Sequence, residues 1–320
     1  MIAFRPLFRN PHFQTIASHF WPRPEDRRYP VSSRLYRTEP EVQVLVTSQR
    51  PGARCRGDIV MVHGLEGSAE GGYIRSLAAA ALGRGYAAHT FHMRTCGGTE
   101  HLCRTLYHAG LTSDLRAVLE EFKREERGPV YLSGFSLGGN VVLKLAGELG
   151  EGARGLFRGV CAVSTPLDLG ACASRLSQPA NRLYERRFVR RMRNRLRATG
   201  RYGAADFRGL RTVRDIDDRI TAPSFGFGTA DNYYGTQSAL GFLSQIRQPA
   251  LLIQSRDDPL APFDVFETDA VRSNGHIRVL ATEHGGHLGF LGRRPHRFWL
   301  DEAILEWVAE LENQRGPGPL

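Results

Sequence analysis

The chain has 320 residues, with 43 Lys and Arg against 33 Asp and Glu and a formal net charge of +10. At 41% hydrophobic and 24% charged residues the composition excludes wholesale disorder, and no run of 18 apolar residues exists to span a membrane. This length admits one large domain or two small ones, either able to bury a substantial core.

Residues 1–21 are rich in aromatics but interrupted by Arg5, Arg9, His12 and Gln14. They lack the unbroken apolar core and small-residue cleavage site of a signal peptide. Residues 34–37 and 42–47 read as antiparallel edge strands. Beyond them, short apolar and β-branched runs at 58–63, 86–93, 130–134, 159–164, 250–255 and 276–281 predict strands. Helical patterns fall at 73–82, 111–127, 138–149 and 295–312. Strands alternating with helices imply right-handed crossovers, hence an α/β fold with a mostly parallel central sheet and helices on both faces. A Gly/Pro tail at 316–320 reads as a frayed end.

One connection is too long for a crossover. About 80 residues separate the segment at 159–168 from that at 248–258, where a dozen or more suffice. We therefore assign 1–168 and 246–320 to the core and 169–245 to an inserted helical cap, an element that shapes a pocket and excludes water. The cap holds most of the charge. Residues 182–201 contain nine arginines and only Glu185 as an acid, a net +8 that leaves +2 for the other 300 residues. Leu183, Phe188, Met192 and Leu196 recur there at helical spacing, predicting a very basic helix with a narrow apolar stripe. Such a helix is a solvated surface or lid element, or a contact for phosphate or lipid headgroups. No zinc-finger spacing, RNA-binding aromatic box or zipper heptad accompanies it, so no nucleic-acid partner is expected. The five cysteines (55, 96, 103, 161 and 172) form no CxxC pair and no zinc cluster, which fits a reduced, cytoplasmic setting without a metal site.

The chemistry centres on Gly134-Phe135-Ser136-Leu137-Gly138. This G-x-S-x-G follows a predicted strand and opens a predicted helix. The flanking glycines let the backbone turn sharply enough to expose the Ser136 hydroxyl, and the helix N-terminus favours a developing negative charge. A serine nucleophile needs a base and a group that orients it, following in the order Ser, acid, His. Glu283-His284-Gly285-Gly286-His287 follows the last predicted strand. His287 is favoured over His284 because it succeeds the Gly-Gly pair. The preceding strand ends in Arg256-Asp257-Asp258-Pro259, where Asp258 is favoured for the proline four positions on, with Asp257 the alternative. Backbone N–H groups of Leu65, in His63-Gly64-Leu65-Glu66-Gly67-Ser68, and of Leu137 are the candidate oxyanion donors.

Together these residues resemble the YheT-like branch of the α/β-hydrolases over nearly the whole chain. The marks are residues 10–16 (NPHFQTI), 63–68 (HGLEGS), 107–110 (YHAG), 134–140 at the turn, and Pro166-Leu167-Asp168-Leu169. Asp258-Pro259 and Gly286-His287-Leu288-Gly289-Phe290 close the set; within the cap, Asp217-Asp218, Phe225-Gly226-Phe227, Tyr233-Tyr234 and the basic helix also look like the family. Arg94-Thr95-Cys96-Gly97-Gly98 departs from it, since relatives tend to read R-G-C-S-G. The resemblance implies the α/β-hydrolase fold and a cofactor-free serine esterase or lipase with a Ser136-Asp258-His287 triad. Its expected substrate is a small-molecule acyl ester, short- to medium-chain, or a lipid. Relatives include ester synthases, so an alcohol is the alternative acceptor to water. A basic binding module on an inactive hydrolase fold is the reading from another class. Peripheral membrane contact through the N-terminal aromatics and the basic helix is compatible with the enzyme; oligomeric state is not indicated.

Overall fold

The computed structural model describes residues 2–52 and 54–314; the tail at 316–320 lies outside the described residues, as does Met1. The strands are β1 (Ser32–Glu39), β2 (Val42–Gln49), β3 (Asp58–Val62), β4 (Ala87–Phe91), β5 (Val130–Phe135), β6 (Gly159–Val163), β7 (Ala250–Ser255) and β8 (Ile277–Thr282). They form one sheet in the order β1-β2-β4-β3-β5-β6-β7-β8. β1, β2 and β4 pair antiparallel, and every pairing from β4 onward through β3 to β8 is parallel. The helices that matter here are α1 (Pro11–Phe20), α2 (Gly72–Gly83), α3 (Ser113–Arg124), α4 (Leu137–Leu149), α5 (Leu169–Leu176) and α6 (Arg182–Ala198), with Trp299–Asn313 near the end of the chain.

β3 to β7 are buried along their whole length, which is why they read as continuous apolar runs. Side chains alternate between the two faces. Val60, Val62, Leu132, Ala162 and Leu252 share one core layer with apolar residues of α3 and α4. Ile59, Met61, Tyr131, Cys161 and Leu251 share the other with α2 and the helix Trp299–Asn313. Parallel pairing brings the ends of β3, β5, β6, β7 and β8 to one edge, where the loops carrying the candidate residues emerge.

Between β6 and β7 the described residues contain no strand. α5 and α6 are followed by Val213–Ile216, a π-helical turn at Asp217–Thr221, Ala222–Ser224 and Ala230–Gln237. Leu176, Met192, Leu196, Phe207 and Ile216 form a small core of their own, closed by Leu106 and Leu260 from outside the segment.

Three readings of the sequence need correction. The stripe on the basic helix is Val189, Met192 and Leu196 with Phe188 half-buried beside them, whereas Leu183 is 74% exposed. Counting from Met192 and Leu196, the buried line on a 3.6-residue helix passes through Val189, and Leu183 points off it. The helix also stops at Ala198, short of 201, where Gly200 turns at φ +73°. Helix α1, absent from the predicted elements, has a clear start signal: Asn10 accepts from the N–H groups of His12 and Phe13, and Pro11 occupies the first turn.

Candidate active site

Ser136 sits between β5 and α4 at φ +51°, ψ −121°, a conformation that a non-glycine residue adopts only when its surroundings impose it. Close packing imposes it here. A methyl group on Gly138 would run into the carbonyl oxygens of Val62 and His63, and one on Gly134 into the carbonyl of Gly138. The Ser136 N–H is tied to the Val163 carbonyl at 2.8 Å, and the Ser136 carbonyl accepts from Gly139 N–H at 2.8 Å. The hydroxyl is thereby held outward.

Ser136 Oγ lies 2.9 Å from His287 Nε2, and His287 Nδ1 lies 3.1 and 3.0 Å from the two oxygens of Asp258. Asp258 is 2% exposed and fully engaged. Its Oδ1 accepts from the N–H groups of Leu260 (2.8 Å) and Ala261 (3.0 Å), and its Oδ2 from Gln254 Nε2 (3.1 Å). A carboxylate only accepts, so the imidazole carries its proton on Nδ1 and presents the Nε2 lone pair to the Ser136 hydroxyl.

The two alternatives pair with each other. His284 Nδ1 meets Asp257 Oδ2 at 3.1 Å, and Asp257 Oδ1 accepts Gly286 N–H at 2.9 Å. Neither has a hydrogen bond to Ser136. The His287 loop is seated from several sides. Thr15 Oγ1 of α1 accepts the His287 N–H at 2.8 Å, Ser164 Oγ accepts the Leu288 N–H at 3.0 Å, and Ser255 Oγ donates to the Gly286 carbonyl at 2.8 Å. Gly286 turns at φ +58° against the Pro11 carbonyl, leaving no room for a side chain.

Leu65 and Leu137 both line the same cleft as Ser136 and His287. The N–H groups flanking Leu65 are taken: Gly64 N–H donates to Tyr73 Oη (3.1 Å) and Glu66 N–H to Tyr107 Oη (3.2 Å). Gly64 passes so close to the nucleophile that an added Cβ would sit 3.0 Å from Ser136 Cβ. Leu65 and Leu137, the expected oxyanion donors, thus share the cleft wall with Ser136.

The cleft has a cavity volume of about 110 Å³. Leu65, Leu137, Leu169, Leu176, Phe188 and Met192 make much of it apolar, and Arg195, Asp217, Thr221 and Tyr234 add a polar stretch. Burial pushes the Asp217 carboxyl up to about 6, against the pull of the Tyr234 hydroxyl, which donates to it at 2.8 Å. His108, also on the wall, is pushed down to about 3 by burial and then by Lys144 and Arg94, so it is neutral at pH 7. Arg195 of α6 is buried against Glu66: Nε to Oε1 is 2.8 Å, with Nη1 donating to Thr95 Oγ1 at 2.8 Å. Arg191 adds a bond to the Glu66 carbonyl. The residue after Leu65 is therefore clamped from the basic helix. Sequence reasoning gave Thr15, Arg195, Asp217 and Thr95 no such part; position in family-like stretches marked the first three, and Thr95 lies in the stretch that departs from the family.

The chain matches the family described as Alpha/beta hydrolase family over residues 59–300. It is 31% identical over 312 residues to YheT of Escherichia coli (strain K12), covering 94% of this chain and 91% of that one. It is 28% identical over 266 residues to a monoacylglycerol lipase of Saccharomyces cerevisiae, covering 78% of this chain but 58% of the lipase. Among solved structures, esterase Pf2001 of Pyrococcus furiosus superposes with a TM-score of 0.61 at 16% identity, covering 90% of this chain and 96% of that one. At that identity the likeness is one of fold.

Proposed function

The chain belongs to the alpha/beta hydrolase family, and on that footing we propose that it cleaves carboxylic esters through an acyl-enzyme on Ser136. The observation that carries this reading is the unbroken chain from Asp258 through His287 to Ser136 Oγ, ending in a mostly apolar cleft that Leu65 and Leu137 also line.

His287 Nε2 takes the Ser136 proton as Oγ bonds to the ester carbonyl carbon and the carbonyl electron pair moves onto oxygen. Leu65 and Leu137 N–H groups hold that oxyanion; losing one such donor costs about 100- to 1000-fold in rate. Collapse expels the alcohol, which leaves with the proton held on Nε2. Water then loses a proton to Nε2 and attacks the acyl-enzyme, and a second collapse releases the acid and returns the proton to Ser136. Asp258 orients the ring and stabilises the imidazolium that forms twice in the cycle. The apolar wall suits a short- to medium-chain acyl group or a lipid chain, with residues 169–245 acting as the cap that keeps bulk water from it.

The test is direct. Wild type hydrolyses p-nitrophenyl butyrate and takes a fluorophosphonate probe, and Ser136→Ala loses both by at least about a thousandfold. Undiminished hydrolysis by Ser136→Ala refutes the assignment.

A further inference from the structure

Helix α1 is built inside out. The side toward the protein is polar: Gln14 is 0% exposed, with Nε2 donating to the Leu291 carbonyl at 2.8 Å, and Ser18 Oγ donates to the Leu288 carbonyl at 3.2 Å. The apolar side faces out. Phe13, Ile16 and Phe20, at helical spacing, are 67%, 44% and 72% exposed. A helix normally buries such a stripe, so its exposure marks a surface meant to be covered.

The basic helix abuts this stripe. His12 Nδ1 meets Tyr184 Oη at 3.1 Å with the two rings stacked, and Arg187 Nη2 reaches His19 Nε2 at 2.7 Å. Leu183, Arg186, Arg187 and Arg190 fall on one face of α6 at helical spacing, and Leu183, Arg186 and Arg190 are exposed. Among the described residues, Arg195 alone of the nine arginines from 182 to 201 has a carboxylate partner. The α1/α6 face therefore offers exposed aromatic and aliphatic side chains beside a dense field of uncompensated positive charge.

We propose that this face docks the protein onto an anionic lipid bilayer, with Phe13, Ile16, Phe20 and Leu183 entering the boundary between headgroups and acyl chains and the arginines pairing with lipid phosphates. Only a surface that supplies many negative charges and an apolar layer at once satisfies both features. α1 is also the helix on which the His287 loop is seated, through Thr15 and Pro11. The docked face thus adjoins the candidate catalytic group, and a lipid-borne ester has a short path to it; that last consequence rests on the proposed esterase reading, whereas docking does not.

The experiment is co-sedimentation of the full chain with vesicles of phosphatidylcholine containing about one third phosphatidylglycerol, against phosphatidylcholine alone, at low and high salt. Binding to the anionic vesicles is expected, weakening as salt rises. Arg186→Gln with Arg190→Gln weakens it about 25-fold at low salt, since each basic residue near such a surface contributes roughly fivefold. Phe13→Ser with Phe20→Ser weakens it at least about tenfold, with an unchanged Tm because both side chains are exposed. Failure to bind anionic vesicles at low salt, or binding that neither pair alters, overturns the proposal. So does a stable dimer of the chain that Phe13→Ser with Phe20→Ser dissolves while vesicles are ignored. Ester hydrolysis in solution is read separately, so loss of docking and loss of catalysis are distinguishable.

Discussion

Replacing Asp258 by asparagine alters one atom and, by the geometry, the direction of every proton in the site. The Asp258 carboxylate accepts from four donors: two backbone N–H groups at Oδ1, Gln254 Nε2 at Oδ2, and His287 Nδ1 between the two oxygens. An asparagine keeps one acceptor oxygen, and the immovable N–H groups of Leu260 and Ala261 claim it. Its NH₂ then occupies the Oδ2 position, about 3.0 Å from His287 Nδ1, and donates. Nδ1 must accept, so the ring proton moves to Nε2, where it points at Ser136 Oγ in place of the lone pair that should receive the serine proton. Such a tautomer error is worth about 10⁴-fold in kcat, or roughly 5 kcal/mol. The fold should survive. Among the described residues Gln254 Oε1 has no hydrogen-bond partner, and a flip of that amide gives the new NH₂ an acceptor. The expected result is a Tm within a few degrees of wild type and a kcat on p-nitrophenyl butyrate lower by three to four orders of magnitude. Asp257→Asn, which touches only His284 and Gly286 N–H, should cost less than about tenfold. An Asp258→Asn enzyme within tenfold of wild type, or an Asp257→Asn enzyme worse than it, refutes the reasoning.

Gly138→Ala forces a methyl group into two strand-end carbonyls and should lower the unfolding free energy by at least about 2 kcal/mol in urea titration, whereas Gly152→Ala, where a Cβ meets nothing, should stay within about 0.5 kcal/mol. Arg195→Met leaves Glu66 buried with only the Tyr107 hydroxyl and should cost about 3–5 kcal/mol; adding Glu66→Gln removes the stranded charge and should recover at least half, so strictly additive losses would count against the clamp. Burial pushes Asp301 up to about 7, despite its Ser76 bond and nearby Arg23, so the folded state holds a proton there that the unfolded chain has released above about pH 4. Stability should therefore fall as pH rises from about 4 through 7, by an amount on the order of a few kcal/mol, and Asp301→Asn should flatten that slope and raise the Tm at pH 8; an equal slope in the variant argues against it.

What the sequence determined by itself was local and periodic. Runs buried on both faces made β3 to β7 legible, and two edge strands stood out before them. The serine turn was readable because Gly134 and Gly138 stand where only a hydrogen atom fits. Chain order then placed an acid and a histidine after the strands that should carry them. Helix α1 escaped because apolar periodicity is taken as the mark of a buried face, and here the buried face is Gln14 and Ser18; its capping residues Asn10 and Pro11 were the signal that remained.

Tertiary structure alone decided questions of direction. Asp257 and Asp258 are chemically identical neighbours, as are His284 and His287 across two glycines. Which aspartate pairs with the histidine that meets Ser136, and which histidine that is, follows from how two loops cross 29 residues apart and from where Thr15, Ser164 and Gln254 hold them. Likewise, one arginine among nine is buried on Glu66 and the others stay at the surface, a difference that composition cannot encode. The net +10 is a sum over residues and has no direction. Folding gives it one, by laying +7 along α6 beside the outward-facing phenylalanines of α1.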